Sequence, residues 1–368
     1  MTKGCLFVVF IFCIHISYSQ HILKLSGQDT LKQTMQQAEG SFLTNNLSLI
    51  AQKYSIDSAK ATVITARLYD NPEFDYSNAF YNTINHRFFE PEMNIQVSQL
   101  IRLAGKRNKV ITLAKSGIDI ARFQFYDLLR TLRYILRNDF YNIYFLEQSS
   151  KLYQLEISSL QKMVPAFEDQ VSKGYMAKMD VLRIKSQLYT LQAEYNALQT
   201  NIDIIQGELK LILRVPADKF ILPQADTSIL NRPVLSNLNY QELIDTAIMN
   251  RPDLKLLNAN ILFNNNNLTL QKAYAKPDLT VSVAYDRQGS YVLNYNSIGI
   301  GIPIPFFNRN QGNISNAKIQ VEQSKVQYES GLDQVNSDVT TNYITALRSE
   351  KLLLSFDPKF DADIQHMI

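Results

Sequence analysis

Few residues in this chain have types and spacing suited to catalysis or metal binding. Cys5 and Cys13 both lie in an apolar N-terminal stretch. His15 lies there too, while His21, His86 and His366 are scattered, with no carboxylate partners at ligand spacing. Gly-x-Ser-x-Gly, phosphate-binding-loop and zinc-protease patterns are missing from the sequence. The sequence therefore reads as a non-enzyme with no catalytic residue, no metal site and no cofactor.

The remaining chemistry is electrostatic and conformational. Arg102, Lys106, Arg107 and Lys109 gather where a strand pattern gives way to a helical one. Such cations either face lipid phosphates at a membrane boundary or cover a solvated helix face. Gly174, Tyr175 and Asp180 separate two helical patterns, with the glycine suited to a helix C-cap and the aspartate to an N-cap or a hydrogen bond at a hairpin tip. Tyr76, Tyr81, Tyr285, Tyr291 and Tyr295 lie in or beside strand patterns, where they read either as an interfacial girdle or as strand core. The run Asn264 to Asn267 has poor helix propensity and reads as a solvated or tunnel-facing surface with no assigned role.

The elements that hold these residues are long. Only 12 glycines and 11 prolines occur in 368 residues, about half the average usage of roughly 12%. Val181, Ile184, Leu188, Leu191, Tyr195, Leu198, Ile202, Ile205, Leu209 and Ile212 alternate spacings of three and four without interruption, the pattern of a coiled-coil seam. Upstream, Leu129, Leu132, Leu136, Phe140 and Ile143 keep helical spacing inside a segment from 106 to 163 that lacks proline. At 1.5 Å per residue that helix approaches roughly 90 Å. Four other runs alternate at period two: Phe74–Tyr76, Met93–Val97, Leu279–Tyr285 and Ile298–Ile304. Each extends to about ten residues, the length of a membrane-spanning β-strand, and they form two pairs.

Residues 1–19 carry Lys3, an apolar stretch from Cys5 to Ile16 and the small-x-small site Ser17-Tyr18-Ser19, and read as a cleaved secretory signal. No later window is long and apolar enough for a membrane helix, so any membrane insertion must be as strands. The net charge of +3, with no block of like charges, gives no reason to expect nucleic acid. Charged residues make up 19%, below the usual value of about 25%. Aligning Ala114-Lys115 with Ala317-Lys318, with small slips that pair Pro72 with Pro277 and Leu47 with Leu254, exposes a duplicated helix, strand, strand, helix unit. The expected organisation is a signal at 1–19, a first repeat at 20–213, a linker at 214–239 and a second repeat at 240–368. The second repeat is expected to lack a counterpart of the descending heptad helix.

In order and spacing these features resemble the TolC-type outer-membrane efflux protein family. The resemblance is carried by Asn71-Pro72-Glu73-Phe74, by Gln99 to Arg107, by Arg251-Pro252-Asp253-Leu254 and by Gly301 to Phe307 with Pro303 and Pro305. Lys173-Gly174-Tyr175 followed by Asp180-Val181-Leu182 is similar to the family's periplasmic helix tip, and Phe356 to Ile364 resembles the heavy-metal branch. The resemblance implies an α+β membrane protein. Long coiled-coil helices would form a periplasmic α-barrel, and four strands per chain would join a trimeric twelve-stranded outer-membrane β-barrel. It further implies a homotrimer in outer-membrane lipid that serves as a passive conduit for drugs, metal cations or similar solutes. Its partners would be a periplasmic adaptor protein and an inner-membrane transporter. Gly174, Tyr175 and Asp180 would form the tip that docks the adaptor and helps close the tunnel. Gly105, Lys106, Arg107, Pro303 and Pro305 would form the strand-to-helix corners. Two other readings stay open on the residues alone: a soluble periplasmic coiled-coil scaffold or adaptor, and a truncated, non-functional relative.

Overall fold

Caps and prolines fix the element boundaries in the computed structural model, which describes residues 29–78, 81–82, 86–88, 93–225, 235, 238–288 and 292–355. Strand β1 (Asp29–Thr34) leads to helix α1 (Met35–Asn45), where Thr34 and Gln37 form a reciprocal capping box. Asn46 caps α2 (Leu47–Arg67), and Pro72 precedes β2 (Glu73–Asn78). The short strands β3 (Tyr81–Asn82) and β4 (Arg87–Phe88) follow, then β5 (Met93–Ile101). Helix α3 (Lys106–Ser172) and helix α4 (Lys178–Leu213) form a long hairpin. After β6 (Lys219–Gln224) come α5 (Tyr240–Asn250), α6 (Pro252–Tyr274), β7 (Leu279–Asp286), β8 (Tyr295–Gly301) and α7 (Gln311–Ser355).

The duplication has one structural register. Thr34 and Asn239 cap the 11-residue helices α1 and α5, Asn46 and Arg251 cap α2 and α6, and Gly105 and Asn310 precede α3 and α7. Like Pro72 and Pro277, each of these pairs is separated by 205 residues. The helix starts thus follow this spacing rather than the one that superposes Ala114 on Ala317.

Four strands form one antiparallel sheet in the order β2-β5-β7-β8. The helices that lead into or out of them pack in the same order, α2 on α3, α3 on α6 and α6 on α7, so each strand continues as a helix in the same lateral position. In the sheet register Phe74, Val97, Val283 and Ile298 lie in one row, and Tyr76, Ile95 and Tyr285 in the next row of that face. The opposite face carries Asp75, Gln96, Ala284 and Ser297 in one row and Ser98, Ser282 and Gly299 in another. One face is therefore mainly apolar, with Asn296 and Gln99 among its polar members, and the other mainly polar or small.

The sheet strands hold six, nine, eight and seven residues, shorter than the ten expected. Pro303 and Pro305 lack the N–H that ladder pairing needs, and β8 ends at Gly301 instead of running through Ile304. Helix α3 runs past 163 and through Pro165 to Ser172, 67 residues in all. The stretch 214–239, read as a linker, contains β6, which pairs in parallel with β1. The signal, His21, Tyr291, His366 and Phe356 to Ile364 lie outside the described residues.

The apolar core sits midway along α3, where the start of α2 and the end of α4 meet it. Ala38, Phe42, Leu49, Leu136, Phe140, Ile143, Leu209, Ile212, Leu213 and Ile221 bring α1, α2, α3, α4 and β6 together. All ten residues of the heptad seam are buried or half-buried. No described helix is long and apolar enough to cross a membrane.

Candidate functional site

The cations predicted at the first corner are tied into the protein itself. Ala104 and Gly105 both take positive φ, 56° and 65°, which turns the chain from β5 into α3; glycine adopts this left-handed conformation at little cost. That turn drives Lys106 inward until it is only 2% exposed. Its Nζ lies 2.7 Å from Asp278 Oδ1 and donates to the Lys276 carbonyl at 2.7 Å. Asp278 also accepts from the Leu103 N–H at 2.9 Å. The exit from β5 is thereby fastened to the segment that feeds β7.

A second set of contacts fastens it to the segment that feeds β2. Arg102 Nη2 meets Asp70 Oδ1 at 2.6 Å, and Gln99 donates to the Asp70 carbonyl at 2.9 Å. The hydrogen bond to Asp70 raises the Arg102 pKa further against the opposing effect of burial. Arg107 Nε donates to the Arg67 carbonyl at 3.0 Å, and its guanidinium lies 4.1 Å from the centre of the Tyr69 ring. Lys109 Nζ donates to the Ala104 carbonyl at 2.7 Å. These four cations therefore hold three chain crossings together, a use that neither the lipid-facing nor the solvated reading anticipated.

The second corner uses no such cations. Beyond Pro303 and Pro305, Phe306 and Phe307 stand 77% and 87% exposed. Asn310, at φ 58°, donates to the Gln271 carbonyl at 2.8 Å and so anchors the start of α7 on α6. Strand β7 lies between β5 and β8, so the structure does not bring Pro303 and Pro305 together with Gly105, Lys106 and Arg107.

Gly174, Tyr175 and Asp180 share the far end of the α3–α4 hairpin, roughly 100 Å from Lys106 at 1.5 Å per residue. Gly174 (φ 80°) donates to the Val171 carbonyl at 3.0 Å and the Tyr175 N–H to Gln170 at 2.9 Å, the paired bonds of a Schellman C-cap. Tyr175 is 80% exposed. Ala177, not Asp180, occupies the N-cap of α4, and Asp180 falls in the first turn. There its charge complements the helix dipole, and its carboxylate meets Arg183 at 3.4 Å.

Sequence reasoning missed several residues that organise these sites. Asp70 and Asp278, the carboxylates of the corner, stand two residues before Pro72 and one after Pro277, and that placement beside the strand openings was the available signal. Asn46 donates to the Ile212 carbonyl at 3.0 Å. Arg251, at the equivalent cap, bonds Asp253 at 2.6 Å and Asp338 at 2.9 Å. Burial raises the Asp253 pKa, but the hydrogen bonds and charge of Arg251, with Arg130, outweigh it and leave the pKa below its ordinary value. Three of the four residues of the asparagine run are half-buried rather than solvated: Asn264 and Asn267 reach Gln320 of α7, and Asn266 reaches Ser116 of α3, while Asn265 is exposed. Of the tyrosines, Tyr76 and Tyr285 share the apolar face, Tyr81 stacks on Phe88 in the β3–β4 pair, and Tyr295 opens β8 on the polar face.

Residues 243–353 match the model of the family described as outer membrane efflux protein. The match covers 111 of the 368 residues and lies in the second repeat. The chain is 23% identical over 304 residues to the cobalt-zinc-cadmium resistance protein CzcC of Cupriavidus metallidurans, covering 82% of this chain and 69% of that one. Its fold is that of solved outer-membrane channels. It superposes on CusC with a TM-score of 0.68 at 17% identity, over 86% of this chain and 75% of that one. On the Campylobacter jejuni outer membrane channel CmeC the TM-score is 0.65 at 16% identity, over 87% and 73%.

Proposed function

We propose that this chain is one protomer of a homotrimeric channel that carries solutes passively from the periplasm across the outer membrane. The observation that supports it best is the four-stranded sheet with two free edges and one apolar face, whose strands continue into helices in the same lateral order. Unpaired strand edges in hydrocarbon cost several kcal/mol per backbone group. β2 and β8 therefore need partners, and the alternating strand directions let β8 of one protomer pair antiparallel with β2 of the next. Three copies of this four-stranded sheet close a twelve-stranded barrel. Extraction of the protein from isolated outer membranes in mild detergent, with native mass measured by light scattering, is expected to give a trimer. A soluble monomer in the periplasmic fraction would exclude the channel and favour a scaffold.

In this reading the channel works with a periplasmic adaptor and an inner-membrane transporter that supplies the energy. The tip formed by Gly174, Tyr175 and Asp180 meets the adaptor, because an exposed tyrosine on a rigid C-cap offers a large contact at small entropic cost. The similarity to a cobalt-zinc-cadmium resistance protein favours divalent metal cations as cargo. Deletion of the gene is expected to lower tolerance to zinc, cobalt or cadmium, and the wild-type gene to restore it. Unchanged metal tolerance with a changed drug tolerance would reassign the cargo.

A further inference from the structure

A cavity of about 570 Å³ lies between α3 and the α5–α6 junction, away from both the corner and the tip. Its wall carries Arg130, Arg133 and Arg137 of α3 and Lys255 of α6, with Tyr126 and Tyr134 beside them. The three arginines are spaced three and four apart and so share one helix face, where like charges repel. Two of them have carboxylates of their own: Arg130 meets Asp127 at 2.8 Å and Asp253 at 3.6 Å, and Arg137 meets Glu39 at 2.7 Å. Arg133 and Lys255 have no ion pair among the described residues, and Arg133 Nε is buried there without a hydrogen-bond partner. The unpaired positive charges of this wall are therefore those of Arg133 and Lys255.

We infer that this cavity binds a small organic carboxylate. The planar guanidinium of Arg133 presents paired N–H donors that match the two oxygens of a carboxylate, Lys255 supplies a second positive charge, and the tyrosine rings accommodate an apolar body. The anion supplies the countercharge that Arg133 and Lys255 lack. Nothing in this assignment depends on what the channel exports.

Calorimetric titration of the detergent-extracted full-length protein with sodium benzoate at low chloride tests it. The expected result is saturable binding at one site per chain, weakened at least about tenfold in Arg133→Gln and in Lys255→Gln and unchanged in Lys318→Gln on the exposed face of α7. Native mass and melting temperature of each variant establish that it folds, and Lys255→Gln carries the test if Arg133→Gln does not. Absence of saturable benzoate binding would overturn the inference, as would equal binding by wild type and both folded variants. Saturable binding of inorganic phosphate without binding of benzoate would also overturn it, because the site would then select charge density rather than an organic carboxylate.

Discussion

Lys106 is the residue whose removal is expected to cost most at the corner. Its ammonium is buried and is divided between a carboxylate and a carbonyl, so Lys106→Ala leaves Asp278 beside a buried space with its main countercharge gone. Breaking such a pair from one side costs about 3–5 kcal/mol. Thermal unfolding of the extracted protein should show that loss, and the double variant with Asp278→Ala should lose less than the sum of the two single changes. Asp139 is the opposite case. It is only 4% exposed, its Oδ2 has no hydrogen-bond partner among the described residues, and burial raises its pKa, with Glu208 adding to the rise and a long hydrogen bond from Asn138 opposing it. Because the folded pKa is raised, the penalty is absent below the ordinary carboxylate pKa and grows as pH rises through the folded value. Asp139→Asn is therefore expected to raise the melting temperature at pH 8. That gain should shrink towards pH 4, and a gain independent of pH would point to packing instead of charge.

At the scale of elements, what could be read in advance was what depends on period. The heptad seam from Val181 to Ile212 and the alternation in β5 and β7 follow from burial of one face, so residue order alone contains them. The strand pair β1–β6 was not legible, because Asp-Thr-Leu-Lys-Gln-Thr has no apolar face and its parallel partner is almost two hundred residues away in sequence. Pro165 misled for a related reason: proline removes one helical hydrogen bond, yet the packing of α4 along α3 carries the helix through it. At the corner the cations were visible and their partners were not, since Asp70 and Asp278 meet them only after the chain has folded back from the strands. The tip was legible in Gly174; of the two roles read for Asp180, the N-cap falls three residues earlier, at Ala177, whose extended backbone starts α4 without a side-chain cap. Gly174→Ala is expected to destabilise the hairpin end by about 1 kcal/mol, the cost of a side chain at φ 80°. Hydrogen exchange should register this as faster opening of 166–182 with the midway core unchanged. A uniform loss of protection over α3 and α4 would show instead that the tip is coupled to the whole hairpin.

For the molecule as a whole, the continuity of strand order into helix order is the central fact, because it makes one chain a single wall whose two faces meet different solvents. On the sheet, the apolar face bearing Phe74, Val97, Val283 and Ile298 is 45–80% exposed in the single chain. In the proposed trimer, closure leaves that face towards lipid and the polar face towards the lumen. Val283 and Ala284 are adjacent in β7 and point to opposite faces, which allows the orientation to be tested by a matched pair of substitutions. An arginine placed on the lipid face of a barrel near the midplane costs about 2–4 kcal/mol, whereas a lumen position tolerates charge. Val283→Arg is expected to abolish the detergent-resistant trimer or its recovery from the outer membrane. Ala284→Arg should leave assembly intact and alter single-channel conductance in planar bilayers. If Ala284→Arg were the variant that failed to assemble while Val283→Arg inserted normally, the sheet would be inverted relative to the membrane, and its apolar rows would have to pack against protein inside the barrel.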